Sequence, residues 1–113
     1  MKMIVAFVQP FMAEKVVAAL HVVEGLSGAT FTEVRGFGRG RGARASDVTE
    51  EELLGTVPKV RIEAMAPDGL VDRVVCAIRD SAHTGNRGDG KVYVIPLERA
   101  LRITTREEGE GAV

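Results

Sequence analysis

The segment Thr84–Lys91 holds the residue types that a backbone needs to wrap an anion. It contains three glycines and Arg87, and it ends at Lys91. Glycines let successive N–H groups converge on a phosphate and let the backbone approach it closely, while the arginine and the lysine supply positive charge. The segment therefore predicts a phosphate-binding loop; a flexible turn that merely precedes a strand is the alternative that these eight residues leave open.

The same segment comes close to a P-loop but does not complete it. Gly85, Gly90 and Lys91 satisfy the spacing G-x-x-x-x-G-K, but Val92 stands where the motif has a Ser or Thr that binds Mg²⁺. A P-loop also opens a helix, whereas the residues after Lys91 are the β-branched and aromatic types of a strand. The segment is therefore not a Walker motif, and only the anion-binding potential of its backbone and charges remains.

The elements that position this loop follow the order of a ferredoxin-like fold. Met3–Val8 is a continuous apolar run, typical of a buried central strand. Helical spacing of apolar residues predicts a helix from Ala13 to about Val23, and a second helix with Asp68 as its N-cap. Further strands are predicted at 29–35, 60–64, 91–95 and, as a short fifth strand, 101–103. We therefore predict an α+β fold, a ferredoxin-like βαββαβ sandwich with a long loop between strands 2 and 3.

The predicted loop between strands 2 and 3 covers residues 36–57, which carry no core pattern. Its first half is rich in arginine and glycine, and its second half is acidic. Loops of this length in a compact domain are usually functional or disordered. We expect a loop that extends into a partner or closes on itself by charge, within a single domain of residues 1–113 whose tail, 105–113, is flexible.

Composition excludes several classes of protein. The formal net charge of -1 gives no basic field for nucleic acid, and four Phe with one Tyr provide no stacking platform for RNA. The run Met3–Val8 is too short for a signal peptide or a membrane span. A single cysteine, Cys76, excludes an intrachain disulfide and fits a reducing cytoplasm. We therefore expect a cytoplasmic protein with no nucleic-acid partner and no direct membrane insertion.

The sequence carries no pattern typical of a catalytic or a metal-binding site. No carboxylate pair, Ser-His or Cys-His arrangement emerges, so we predict that the protein is not an enzyme. His21 and His83 are not paired at the spacing of metal ligands, and we therefore predict no metal site.

Four motifs together resemble the PII signal-transduction family. They are Gly36-Phe37-Gly38-Arg39, Val57-Pro58-Lys59-Val60-Arg61-Ile62-Glu63, Leu70-Val71-Asp72 and Thr84-Gly85-x-x-Gly88-Asp89-Gly90-Lys91. They stand in the family's order and spacing, within a resemblance that covers residues 1 to 104. The resemblance implies a compact homotrimer that binds ATP or ADP in the clefts between neighbouring subunits. It also implies that the loop 36–57 is the effector loop, or T-loop, through which the protein regulates its partner.

The resemblance also implies which residues bind the nucleotide. The base and ribose would be lined by Thr30, Gly36, Phe37, Gly38 and Arg39. The phosphates would be held by Gly88, Asp89, Gly90 and Lys91, and Arg102 would reach them from the adjacent subunit. The cofactor-binding set is completed by Lys59, Thr84, Gly85 and Arg87.

This chain departs from the family at several functional positions. Gly40 replaces the glutamine that completes Mg²⁺ and 2-oxoglutarate binding, and Glu52 replaces the tyrosine that is uridylylated in enterobacterial members. Thr104 replaces a second arginine, and Asn86 replaces a lysine. We therefore expect neither the family's 2-oxoglutarate sensing nor its uridylylation. Because each charge-assisted contact contributes roughly 1.5–3 kcal/mol, we also expect ADP and even AMP to compete with ATP.

These observations predict a divergent PII-like, adenine-nucleotide-sensing signalling protein. It would regulate a transporter or metabolic enzyme other than the ammonium uptake system and glutamine synthetase, with Mg²⁺ bound only through the nucleotide. The alternative is an oligomeric ferredoxin-like protein that binds a metal or a small metabolite and has lost nucleotide binding.

Overall fold

A computed structural model describes residues 1–38 and 57–113 of the chain. The strands are β1 (Lys2–Val8), β2 (Thr30–Gly36), β3 (Val57–Ala66) and β4 (Gly90–Pro96), and the helices are α1 (Ala13–His21) and α2 (Val71–Ala82). Short 3₁₀ turns occupy Pro10–Met12, Asp68–Leu70 and Glu110–Ala112. This order confirms the predicted α+β, ferredoxin-like fold.

The four strands form one antiparallel sheet in the order β2-β3-β1-β4. The strand predicted to be central is therefore confirmed: β1 lies between β3 and β4, and even Val5, on the face away from the helices, is only 4% exposed. Strand β3 alternates strictly between half-buried and buried residues from Lys59 onward, with Arg61 and Glu63 on the wetter face as predicted. The core lies between one sheet face and the two helices; at its centre are Ile4, Ala6, Val8, Val16, Leu20, Ile62, Val74 and Ile78.

The predicted role of Asp68 as a helix cap is wrong. Helix α2 begins at Val71 without a side-chain cap, and Asp68 belongs to the preceding 3₁₀ turn. Its carboxylate instead accepts hydrogen bonds from the Met1 ammonium at 2.8 Å and from Lys2 Nζ at 3.0 Å. These two cationic donors lower the pKa of Asp68 and tie the start of β1 to the turn before α2.

The predicted fifth strand at 101–103 is also wrong, since the sheet has four strands in the part of the chain that the structure describes. Leu101 forms only an isolated bridge with Glu108. Two backbone hydrogen bonds close the segment on itself, from Gly109 N to Ala100 O at 3.0 Å and from Arg102 N to Glu107 O at 2.9 Å. Local pairing has therefore replaced addition to the sheet edge, and we call residues 100–109 the C-terminal hairpin.

The sheet face opposite the helices carries exposed apolar side chains. Register places Met3, Val5 and Phe7 of β1 on this face, beside Ile95 and Tyr93 of β4. Tyr93 is 47% exposed and Ile95 is 41% exposed. Among the described residues, no helix has the length and apolar character needed to cross a membrane.

Candidate functional site

One end of the sheet carries a groove of about 650 Å³. The end of β1, the end of β2, the start of β3 and the start of β4 all meet there, because neighbouring strands run antiparallel. Most of the predicted site residues line it: Gly36, Phe37, Gly38, Lys59, Arg87, Gly88, Asp89, Gly90 and Lys91. The topology thus brings the loop before β4 against the strand ends that flank residues 39–56.

The loop from Thr84 to Lys91, called the glycine loop below, depends on a close backbone approach at Gly90. Gly90 has a φ of +109°, and it pairs with Val8 at the end of β1. A Cβ atom on Gly90 would overlap the carbonyl oxygen of Phe7 and lie 2.9 Å from its carbonyl carbon. Only glycine can therefore start β4 at this position while keeping β4 paired with β1.

Asp89 holds the first half of the glycine loop in shape. Its carboxylate accepts hydrogen bonds from the backbone N–H of Thr84 at 2.8 Å and of Gly85 at 2.9 Å. It also accepts one from the Thr84 hydroxyl, whose oxygen accepts the Asn86 N–H at 3.1 Å. Thr84 and Gly85 do not line the groove. These two residues therefore position the loop, and Asp89 connects them to the groove wall.

Hydrogen bonding lowers the pKa of Asp89 below its ordinary value of 3.8, first through the Thr84 hydroxyl and then through the backbone N–H groups. A carboxylate whose pKa is depressed in the folded state stabilises that state at neutral pH, and this contribution is lost as the pH falls below about 3.8. We expect Asp89→Asn to unfold at lower urea concentration than the wild type at pH 7, with a smaller difference at pH 3. An equal difference at both pH values would contradict a role for the carboxylate charge.

From residues 1–38 and 57–113, three cationic side chains line the groove: Lys59, Arg87 and Lys91. Lys59 Nζ donates a hydrogen bond to the Gly88 carbonyl at 2.8 Å and so fixes the second half of the glycine loop. Lys91 stands opposite Phe7 in the β1–β4 register. Among the described residues that line the groove, Asp89 is the one acidic side chain, and its carboxylate accepts hydrogen bonds from the loop's own donors. The groove is therefore suited to a polyanion.

Aromatic side chains of β1 and β4 line part of the groove, and sequence reasoning missed them. Phe7 and Tyr93 meet edge to face, with ring centroids 6.5 Å apart, and the Arg61 guanidinium lies 5.6 Å from the Phe7 centroid. Strand alternation offered a signal for Tyr93, because it follows Lys91 by two residues and so points to the same face. Phe7 shares that face only through its register with Lys91, which the sequence does not show.

Two predicted residues lie at the other end of the sheet. Thr30 begins β2 while Gly36 ends it, so the two are separated by about 20 Å of extended strand. Thr30 lines a second hollow of about 530 Å³ together with Arg99 and with Leu101 of the C-terminal hairpin. Arg102 follows Leu101 in that hairpin. Within one chain, Thr30 and Arg102 are therefore not brought together with the glycine loop. Arg39 lies outside the described residues.

The fold and the groove define an α+β protein with a cationic, glycine-lined groove at the end of its sheet. Comparison with known proteins places it more closely. The profile of the family described as "Nitrogen regulatory protein P-II" matches residues 1–107. Nitrogen regulatory protein P-II of Azospirillum brasilense is 44% identical and that of Haemophilus influenzae 45% identical, each over the full length of both chains. Nitrogen regulatory protein P-II 1 of Escherichia coli K12 is 42% identical over the same span.

The chain therefore belongs to the nitrogen regulatory protein P-II family, which confirms the resemblance found in the motifs. Proteins of this family are signal-transduction regulators rather than enzymes. Among residues 1–38 and 57–113, no group of three or more His, Cys, Asp or Glu side chains could hold a metal ion. The family match thus favours a signalling protein over the metal- or metabolite-binding alternative.

Proposed function

We propose that this protein is an adenine-nucleotide-sensing PII regulator that acts on a transporter or metabolic enzyme through residues 36–57. The observation that carries this proposal is the convergence of Lys59, Arg87 and Lys91 on a groove bordered by the glycine loop. Residues 36–38 and 57 line the same groove. A ligand bound there would contact both ends of the effector loop, so nucleotide occupancy can be coupled to the surface that a partner binds.

The groove offers two kinds of contact to a phosphate chain. Lys91 and Arg87 provide charge, and a backbone that follows positive φ angles at Gly88 and Gly90 can turn its N–H groups toward an anion. Charge-assisted hydrogen bonds of this kind are roughly twice as strong as neutral ones. ATP and ADP therefore fit the groove better than an uncharged metabolite, and Mg²⁺ would enter only as a companion of the nucleotide phosphates.

We propose that the complete nucleotide site is shared between two subunits of a homotrimer. Each chain carries the glycine loop at one end of its sheet and Thr30 with Arg102 at the other. In a closed ring, the C-terminal hairpin of one subunit can meet the groove of the next. The exposed apolar face with Tyr93 and Ile95 gives such a ring a surface to bury.

This assembly predicts a defined mass in solution. Light scattering should give about three times the chain mass of 12.1 kDa across a wide concentration range. Burial of the apolar sheet face is the reason that we expect the trimer to persist on dilution. A monomer at every concentration would remove the shared cleft, and with it the proposed role of Arg102.

The substitutions Asn86 and Thr104 leave fewer cations for a triphosphate. Each absent charge-assisted contact weakens binding of the longest phosphate chain most, because only that chain reaches every cation. We therefore propose that ADP, and even AMP, competes effectively with ATP at this site. The protein would then signal to its partner the ratio of ATP to ADP and AMP.

We also propose that 2-oxoglutarate does not act here as it does on other family members, and that the protein is not uridylylated. Both proposals rest on Gly40 and Glu52, which lie outside the described residues. Glycine offers no side-chain oxygen to complete the coordination of a Mg²⁺ ion that the oxoacid chelates. Titrating 2-oxoglutarate into the Mg²⁺-ATP-loaded protein should give little heat and leave tryptic cleavage at Arg39, Arg41 and Arg44 unchanged. Micromolar binding that protects these arginines would contradict the proposal, and Gly40→Gln is the matched variant expected to gain such binding.

The proposed function is tested by thermal unfolding with increasing ATP, ADP, AMP or GTP. A ligand that binds only the folded protein stabilises it by RT ln(1 + [L]/Kd), so the midpoint should rise steadily with adenine nucleotide concentration. GTP is the control for a general effect of polyphosphate, and it should give a smaller shift. An unchanged midpoint with every adenine nucleotide would contradict nucleotide sensing and return the protein to the metabolite-binding alternative.

A further inference from the structure

The C-terminal hairpin contains an unusual backbone position at Arg106. Its φ of +61° makes it the one non-glycine residue with a positive φ among the residues that the structure describes. This left-handed conformation favours glycine, and arginine adopts it only at a cost in conformational energy. Arg106 is exposed at the tip of the hairpin, where it belongs to no apolar core. Packing therefore does not explain why arginine occupies this position.

The hairpin tip places Arg106 beside Arg102. The Arg106 N–H donates to the Arg102 carbonyl at 2.8 Å, while the Arg102 N–H donates to the Glu107 carbonyl at 2.9 Å. These bonds close a five-residue turn with an arginine at each end and Thr104 between them. Both arginine side chains are exposed. The turn thus presents two guanidinium groups from one small, hydrogen-bonded unit.

Neither acidic side chain of the hairpin forms an ion pair with Arg102 or Arg106 in the part of the chain that the structure describes. Glu108 forms an ion pair with Arg99, and the Glu107 carboxylate lies near the backbone of Gly111 without an ion pair to either arginine in the described residues. In the described part of the chain, neither Arg102 nor Arg106 has an ion-pair partner. An exposed guanidinium group without an ion pair can form charge-assisted hydrogen bonds with an anion. The tip therefore offers two exposed guanidinium groups to an anion from outside its own chain.

We infer that Arg106 is a second phosphate contact, which acts with Arg102 on the nucleotide bound in the groove of the neighbouring subunit. Arg106, at the end of the turn, supplies a positive charge that Thr104, in the middle of the turn, does not carry. The ligand is the outer phosphate of a nucleoside di- or triphosphate, because a guanidinium binds phosphate oxygens with two parallel hydrogen bonds. This inference rests on the proposed function.

Substitution by glycine separates a binding role from a structural one. Arg106→Gly removes the charge and also relieves the left-handed backbone, so the melting temperature without nucleotide should rise. The same variant should bind ATP about tenfold more weakly in calorimetry, because it loses a charge-assisted contact. Arg106→Lys should retain most of the ATP affinity. If Arg106 had only a structural role, Arg106→Gly would not both raise the melting temperature and weaken ATP binding.

The matched controls are Arg106→Gln and Arg73→Gln, since Arg73 is an exposed arginine on α2, away from both the groove and the hairpin. We expect weaker ATP binding for the first and unchanged binding for the second, with a smaller effect of Arg106→Gln on AMP than on ATP. Unchanged ATP affinity in Arg106→Gly, while the wild type binds ATP, would overturn the role of Arg106 alone. Absence of ATP binding in the wild type would instead overturn the proposed function.

Discussion

Replacing Gly90 with alanine should destabilise the protein by at least about 3 kcal/mol, because the substitution combines a steric clash with an unfavourable backbone conformation. The added Cβ would overlap the Phe7 carbonyl oxygen, and both clashing groups belong to paired strands. Neither strand can move away without breaking the β1–β4 ladder, and β1 is the central strand. Urea unfolding of Gly90→Ala should therefore show a much lower midpoint than the wild type.

Gly109→Ala is the matched control for this substitution. Gly109 has a φ of +89°, but a Cβ built on it meets no atom within 4 Å. Gly109→Ala therefore has the unfavourable backbone conformation without the clash, and we expect a loss of about 1–3 kcal/mol, smaller than that of Gly90→Ala. Equal losses for the two variants would contradict the close approach of Gly90 to β1.

Replacing Lys91 with alanine should weaken ATP and ADP binding by at least about tenfold, which corresponds to the loss of ~1.4 kcal/mol. Lys91 is the exposed first cation of β4, and it lies on the groove wall directly after Gly90. The pairing of β4 with β1 fixes the backbone of Lys91, so only its side chain must be ordered when the ammonium group binds a phosphate. Calorimetry with each nucleotide measures this loss directly.

Lys15→Ala is the control for the change in net charge, since Lys15 is exposed on α1. It should leave both affinities within about twofold of the wild type, because exposed charges at a distance are largely screened at physiological salt. If the wild type and Lys91→Ala bound ATP and ADP with equal affinity, Lys91 would not be a phosphate contact. The folded state of each variant is checked by its urea midpoint, which we expect to be unchanged.

Much of the fold follows from local patterns. The apolar run Met3–Val8 predicted a central strand, and helical spacing predicted both helices, because burial requires these periods whatever the tertiary contacts are. Alternation in β3 likewise predicted Arg61 and Glu63 on the wetter face. The errors arose where a distant part of the chain decides the outcome. The local sequence around Asp68 predicts a helix cap, because it does not show that the Met1 ammonium lies beside the carboxylate.

The candidate site shows the same division. Glycines and cations near Lys91 indicated an anion site, since their chemistry is local. Hydrogen bonds join Thr84 to Asp89, a pairing that the motif alone does not reveal, and contact of these two residues with the ligand stays a prediction. The separation of Thr30 from Gly36 also depends on strand direction, which decides the end of the sheet at which each residue lies.

The central claim is that Lys91 of one subunit and Arg102 of its neighbour bind one nucleotide. Lys91→Ala and Arg102→Ala trimers should each bind ATP at least about tenfold more weakly than the wild type. Unfolding the two variants together at equal amounts and refolding them gives mixed rings. A cleft is intact when its groove comes from an Arg102→Ala chain and its hairpin from a Lys91→Ala chain, which holds for about one quarter of the clefts.

Calorimetry of the refolded mixture should therefore recover tight ATP binding with a stoichiometry of about one site per four subunits. The control is a mixture of the two folded trimers that has not been unfolded. It should show no tight ATP binding until the trimers exchange subunits. Recovery of tight binding at that stoichiometry would establish the shared cleft. A refolded mixture that binds no better than the separate variants, although its mass shows trimers, would contradict it.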